Sequence, residues 1–409
     1  MTILTAKYIL DENFRLQKNC AIKIAGSKIA EIAPARKFAQ DKILNLKDAV
    51  IIPGLINCHN HLELTSIGKK ITRTKDFVAW LDEVRETRNN QTEKYLIDSA
   101  KKGIASSLNF GVTTIADHSN SGLSLLPLTE MPIRAFILFE LIAIDEKTLK
   151  IRAPIFRKHI KNTTENKLLK WGLAPHAPYS AGKKLINWAV KKCLEENRIL
   201  SIHVHEHKEE EEFLKTGTGP FKDMLTRLGM NVSEFAPPGL SSIEYLKKLK
   251  FLRRGTLLIH ANYISENDME IIKESDASII FCPRSHHYFY RKNYPLEKMI
   301  NSGARVALGT DSMVSNWSLS ILDEMRFIKK DFPLIGAEKI FEMATTAGAA
   351  ALNLQKITGK LKKNMQADIA ALGNLPKKKD LKLDDLLKSK IKNIFTMTAG
   401  KIVYNKTME

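Results

Sequence analysis

The stretch "VIIPGLINCHNHLEL", residues 50–64, opens on a β-branched apolar run and then sets two histidines, His59 and His61, two residues apart. An apolar run with no polar alternation fits a strand buried on both faces, as in parallel sheets. VIIPGLINC (50–58) is the first of eight such runs. The others are VTTIAD (112–117), IRAFILFEL (133–141), KWGLAP (170–175), ILSIHV (199–204), TLLIHA (256–261), ASIIFC (277–282) and RVALGTD (305–311). Between most of them lie stretches with helical spacing. TEKYLIDSAKKGIASSLNFG (92–111) carries Leu96, Ala100, Ile104 and Leu108 on one stripe and stops at a glycine, and AGKKLINWAVKKCLEENR (181–198) behaves alike. Strand, helix, strand, repeated, argues for parallel βαβ units. Eight units over about 250 residues predict an α/β chain with a (β/α)8 TIM barrel. A doubly wound open sheet is the alternative.

The flanks read as short antiparallel strands, with too few apolar residues at either end for a separate core. The expected organisation is a small β-sandwich built from both termini (1–52 and 358–409) around a barrel at 53–357. PKKKDLKLDDLLKSK (376–390) reads as a charged loop or short surface helix.

Among the 409 residues, 64 Lys and Arg against 45 Asp and Glu give a formal charge of +19. That balance invites a nucleic-acid reading. The lysines are spread along the whole chain, however, without an aromatic-interleaved basic motif, so no nucleic-acid partner is expected. No apolar run approaches the roughly 18 residues of a membrane helix, which excludes a membrane-spanning reading. The opening MTILTAKYILDENF lacks the layout of a secretory signal, so a cytoplasmic location is expected. Cys20, Cys58, Cys193 and Cys282 form no CxxC pair and read as reduced thiols.

A barrel places its chemistry at the C-terminal ends of its strands. Ten of the eleven histidines fall there: His59 and His61 after strand 1, His118 after strand 2, His176 after strand 4, and His203, His205 and His207 at strand 5. His260 closes strand 6, and His286 and His287 follow strand 7. Imidazole nitrogen and carboxylate oxygen are ligands for Zn and Fe(II). Two histidines at i and i+2 point to one side of a strand, so His59 and His61 can grip one ion. His203 or His205 can add a third nitrogen, and Asp311 in GTDS a carboxylate. Spacing alone leaves His203 and His205 open. HVHEH (203–207) fits the HxxEH pattern of a metalloprotease, but that pattern needs a helix. Cys282-Pro283 lacks the second cysteine of the small zinc deaminases.

PGLINCHNH, HAPYS, HVHE, IHAN, CPRSH and GTDSMVSN, in this order, resemble the amidohydrolase superfamily, in its branch of cytosine, guanine and adenosine-type deaminases and triazine hydrolases. The likeness spans nearly the entire chain. It implies one divalent metal ion, Zn2+ with Fe2+ accepting the same set, held by His59, His61, His203 and Asp311. The family's HxxE spacing, met by His203 and Glu206, decides for His203. Glu206 would shuttle a proton, Asp311 would also take one from water, and His260 would orient that water. His176, Trp80, Glu63, Ser312 and Arg284 would contact substrate, Trp80 by stacking on a purine and Arg284 by binding a carboxylate. Tyr288 and Phe289 would line the mouth, and residues 217–239 would form a lid.

The implied activity is hydrolytic deamination of a 6-aminopurine nucleoside. HxHxE, FVAWL, RAFILFELI, HAPYS and CPRSHHYF lean toward 6-aminodeoxyfutalosine of menaquinone biosynthesis. S-adenosylhomocysteine, methylthioadenosine or adenosine, a guanine deaminase and a triazine chlorohydrolase are the alternatives. A homodimer is the oligomeric state that the resemblance suggests. A barrel that had become a metal-free scaffold is the rival from another class, and stoichiometric metal separates the two.

Overall fold

Gly54 divides the first apolar run into two strands. Val50–Pro53 pairs antiparallel with Ile369–Gly373 and parallel with Tyr8–Leu10, whereas Leu55–Asn60 pairs with Val112–Ser119 in a different sheet. A Cβ at Gly54 would stand 2.2 Å from Thr113 Oγ1, so only glycine lets the chain step from one sheet to the other here. The single strand expected over 50–58 is therefore two, a break that hydropathy does not reveal. This is a computed structural model, and it describes residues 1–38 and 43–406.

Eight parallel strands follow in chain order: Leu55–Asn60, Val112–Ser119, Arg134–Leu141, Leu169–Pro175, Leu200–Val204, Thr256–His260, Ser278–Phe281 and Arg305–Leu308. Each is hydrogen-bonded to the next. The ring is joined beyond the eighth strand, where the backbone N–H groups of Thr310 and Asp311 both donate to the His59 carbonyl at 3.0 Å. Asn57 braces the same seam: its Nδ2 donates to Thr310 Oγ1 at 2.8 Å and its Oδ1 accepts from Thr310 N at 3.1 Å. Ile56, Leu138, Ile259, Ile280 and Ala307 share a buried cluster with Ala347 and Ala351 of the helix Thr346–Ala351. The predicted helices lie at Glu93–Asn109 and Lys183–Glu195, the first burying Leu96, Ala100, Ile104 and Leu108.

The termini build two further sheets. One has four strands, all from the first 45 residues. The other has six and mixes both ends, with Val50–Pro53 beside Ile369–Gly373 at its centre. Leu4, Ile22, Ile51, Ile369, Phe395 and Met397 pack between the two. A buried pair, Arg134 Nη2 to Asp368 at 3.0 Å, ties the start of the third barrel strand to this unit. The segment 376–390 is less solvated than its charge suggests, because the turn Leu383–Leu387 buries Leu386 and Leu387. Among the described residues no helix is long and apolar enough to cross a membrane.

A Cβ at Gly309 would stand 2.7 Å from His59 Cβ and 3.1 Å from Cys282 Sγ. Gly309→Ala should thus overpack the seam, costing about 1–3 kcal/mol and lowering the melting midpoint in calorimetry. A midpoint equal to that of the parent protein would show that the seam has slack.

Candidate active site

At the C-terminal end of the barrel, side chains from different strands converge. The ring nitrogens of His59, His61 and His203 lie within 4.8 Å of one another, and so do the ligand atoms of His59, His260 and Asp311. Burial lowers His59 and His61 to about 4 and His203 to about 3, so all three rings are neutral near pH 7 with a lone pair to offer.

The second nitrogen of each ring decides which one faces inward. His203 Nδ1 donates to the His176 carbonyl at 2.9 Å, which leaves Nε2 bare. His59 Nδ1 lies 3.0 Å from His118 Nδ1, and His118 Nε2 lies 2.8 Å from Ser201 Oγ. His59 Nε2 is buried without a hydrogen-bond partner. With a cation on Nε2 in place of a proton shared with Asp311, Nδ1 would carry the proton and donate it to His118, which would in turn donate to Ser201. Asp311 has φ +59°, a left-handed turn that carries its carboxylate over the seam. Its Oδ2 accepts from Ser285 Oγ at 2.7 Å and Ser315 Oγ at 2.6 Å. Its Oδ1 lies 3.4 Å from His59 Nε2 and 3.8 Å from His61 Nε2.

Donors about 2.0–2.1 Å from a central zinc stand roughly 3.4 Å apart in a tetrahedron. Three neutral imidazoles converging within 4.8 Å, with a carboxylate oxygen 3.4 and 3.8 Å from two of them, fit a divalent ion. Zn2+ and Fe2+ both accept such a set.

Glu206 reaches the same place from the turn after the fifth strand. His205, at φ +47°, makes that turn, and its N–H is held by the buried Glu210 carboxylate at 2.9 Å. Ser242 Oγ donates to the same oxygen of Glu210 at 2.5 Å. The His205 ring is buried away from the cluster, and neither of its nitrogens has a partner. Glu206 Oε1 lies 3.7 Å from His260 Nε2 and 3.8 Å from Arg291 Nη2. Burial pushes the Glu206 carboxyl up to about 8, against the pull of Arg291. It can therefore hold a proton at neutral pH and release it.

A cavity opens over these groups. Trp80, Glu63, His176 and Ser312, all named from the sequence, line it. Arg284 does not. Its guanidinium is spent on Ser318 Oγ at 2.9 Å and on Asp323 and Glu324 at 3.7 and 3.8 Å, so the cations that line the cavity are Arg85 and Arg88. Phe289 stands edge-on behind Trp80 at 4.8 Å. From the segment 217–239 the helix Pro220–Arg227 presents Met224 and Leu225 to the cavity, with Leu228 and Met230 just beyond. Sequence reasoning assigned no role to His118, Glu140, Glu210 or Arg291. Glu140 had a visible signal, the one carboxylate of IRAFILFEL, set after the apolar stretch 135–139. Glu210 had none, being one of four consecutive glutamates.

The amidohydrolase family model matches residues 50–404, and the chain belongs to that family, hydrolases acting on C–N bonds. A 5-methylthioadenosine/S-adenosylhomocysteine deaminase of Pyrococcus horikoshii is 28% identical over 399 residues, covering 93% of this chain and 87% of its own. The crystal structure of Helicobacter pylori aminofutalosine deaminase in complex with methylthio-coformycin superposes with a TM-score of 0.86 at 25% identity, over 98% of this chain and 100% of that one. Atrazine chlorohydrolase of Arthrobacter aurescens, complexed with zinc, shares the fold at 16% identity, with a TM-score of 0.83 over 99% and 96% of the two chains.

The His118 bridge should matter to the ion before any substrate is present. His118→Ala should weaken metal retention about 10- to 100-fold, read by competition with a chromogenic chelator. An affinity equal to that of the parent protein would mean that His59 keeps its tautomer unaided.

Proposed function

We propose that this chain is a hydrolytic deaminase of an adenosine-type nucleoside, with 6-aminodeoxyfutalosine as its substrate. The observation that carries the reading is the convergence of His59, His61 and His203, with Asp311 Oδ1 at 3.4 and 3.8 Å from His59 and His61 and with Glu206 next to His260. A divalent ion bound there would supply the Lewis acidity that makes water nucleophilic at neutral pH. The residues do the rest. Asp311 takes a proton from the attacking water. Glu206, desolvated enough to stay protonated, delivers a proton to the ring nitrogen next to the carbon under attack. His260 donates toward the charge that develops on the incoming oxygen. Asp311 then passes the water's proton to the exocyclic amino group, Glu206 takes back the proton of the new hydroxyl as it becomes a carbonyl, the C–N bond breaks and ammonia leaves.

The far end of the cavity supports a nucleoside with a bulky 5′ substituent. Val84 and Leu81 of one helix face Met224, Leu225 and Leu228 of the lid, a slot with an apolar lining that suits an aryl or thioether group. Arg85 and Arg88 stand on the same helix as Trp80, about one and two turns further on, where an anionic end of the substrate would meet them. The likeness to the aminofutalosine deaminase supports that substrate. The likeness to a methylthioadenosine/S-adenosylhomocysteine deaminase supports a second reading, in which a thioether fills the slot.

Purified, metal-replete protein offered 6-aminodeoxyfutalosine, methylthioadenosine, S-adenosylhomocysteine and adenosine should release ammonia, with the highest kcat/KM for the first. The reading fails if all four are inert while a halogenated or N-alkyl triazine turns over. Glu206→Gln should retain the metal and lose about 10²–10⁴ in kcat, whereas Asp311→Asn should lose metal content and turnover together. Full activity in Glu206→Gln would remove it from the proton path.

A further inference from the structure

We infer that Glu140 selects a ribose, its carboxyl binding the adjacent 2′ and 3′ hydroxyls of the substrate's sugar. The inference rests on the adenosine-type reading above and deepens it.

The reacting edge of the base has to face Glu206 and His260, which follow the fifth and sixth strands. The rest of a nucleoside then lies over the ends of the second, third and fourth strands. Two hydroxyl groups arriving there need acceptors, because a buried hydroxyl left unpaired is costly. Two cavity-lining carboxyls stand on that side, Glu63 and Glu140.

Glu63 is already committed. Ser119 Oγ donates to its Oε1, Ser121 Oγ donates to its Oε2 at 2.6 Å, and Arg88 lies 3.4 Å from the same Oε2. Glu140, only 8% exposed, stands next to the end of the third strand with Oε1 buried and, among the described residues, without a hydrogen-bond partner. A buried carboxyl without a partner in a native cavity calls for a ligand. The neighbours define what kind. An oxygen of Glu140 and ring nitrogens of His176 and His203 lie within 4.8 Å of one another. That trio does not form a second metal site, because His203 already donates its Nδ1 to a carbonyl and turns its other nitrogen to the first cluster. His176 likewise has Nδ1 engaged with Ser180 Oγ at 2.7 Å. What remains is a carboxyl oxygen with no partner among the described residues, on the cavity wall beside the His176 ring, a pairing that suits a vicinal diol.

The test compares adenosine with 2′-deoxyadenosine and 3′-deoxyadenosine in the parent protein and in Glu140→Ala and Glu140→Gln, with metal content and melting midpoint measured alongside. In the parent protein at least one deoxy analogue should lose about tenfold or more in kcat/KM, mostly through KM. In both variants adenosine should fall to the level of that analogue, closing the gap between ribose and deoxyribose. A carboxyl that merely supports the barrel would lower all three substrates alike and leave the gap intact. That result, or a parent protein indifferent to both hydroxyls, overturns the role of Glu140 while the deaminase reading stands. Failure of the parent protein to deaminate any of the three, with a triazine turned over instead, overturns both.

Discussion

The His59 carbonyl receives two backbone N–H donors, from Thr310 and Asp311. This contact joins the eighth strand to the first, and the rest of the architecture depends on it. The eight parallel strands are otherwise an open ladder from Leu55–Asn60 to Arg305–Leu308. The same contact brings together the side chains of His59 and Asp311, which are 252 positions apart in sequence by their numbering. Closure of the fold and assembly of the site are thus one event. The chain accepts strain to achieve it: Asp311 sits at φ +59°, and the approach at Gly309 leaves no room for a methyl group. Strain of this kind persists only where the surroundings over-determine it, and here Ser285, Ser312 and Ser315 pin the Asp311 carboxylate from three sides.

A second tier of contacts orients the first. Imidazoles that are to present one nitrogen need the other one occupied. His203 uses a backbone carbonyl, which is insensitive to side-chain identity. His59 uses His118, whose far nitrogen reaches Ser201 on the fifth strand. That bridge spans the barrel from the first strand through the second to the fifth and fixes one tautomer along its length. Glu210 does comparable work for Glu206. By holding the His205 N–H it stabilises a left-handed residue that would otherwise be uphill, and so aims the next side chain at His260 rather than at solvent.

The barrel was legible because buried parallel strands need apolar residues at every position. Six of the eight runs lie within two residues of the strands observed, and RVALGTD runs three residues past the end of Arg305–Leu308. The first run, at 50–58, misled because its two halves are equally apolar, one packed in the small sheet and the other in the barrel. Only the missing Cβ at Gly54 separates them. The histidines could be placed because strand ends are fixed by the same pattern, and HxH spacing puts His59 and His61 on one face. Arg284 could not be placed that way. The sequence shows that it follows the seventh strand, but its direction depends on Asp323 and Glu324, some 40 positions later. His118 and Ser201 pose the same difficulty, since each is ordinary alone and meets the other only across the barrel. Glu210 is hidden among glutamates that differ from it only in burial.

The two ends of the cavity are held by different means, and this divides their roles. Around the cluster of His59, His61, His203, His260 and Asp311 every group leaves a strand end or the turn just after it, so its position is tied to the ladder and has little freedom to vary. At the far end the lining comes from side chains of the helix Phe77–Asn89 and the lid helix Pro220–Arg227. These meet through Phe77 against Phe221, and each is backed from outside the pair, Trp80 by Phe289 and Phe221 by Tyr179 stacked at 3.9 Å. Such contacts can be repacked without disturbing hydrogen bonds in the barrel. A change of substituent on the substrate can therefore be met by exchanging apolar residues there, while the proton-handling groups stay where the strands put them. Under the proposed function, this division puts the determinant of the 5′ group on those two helices rather than beside the histidine cluster.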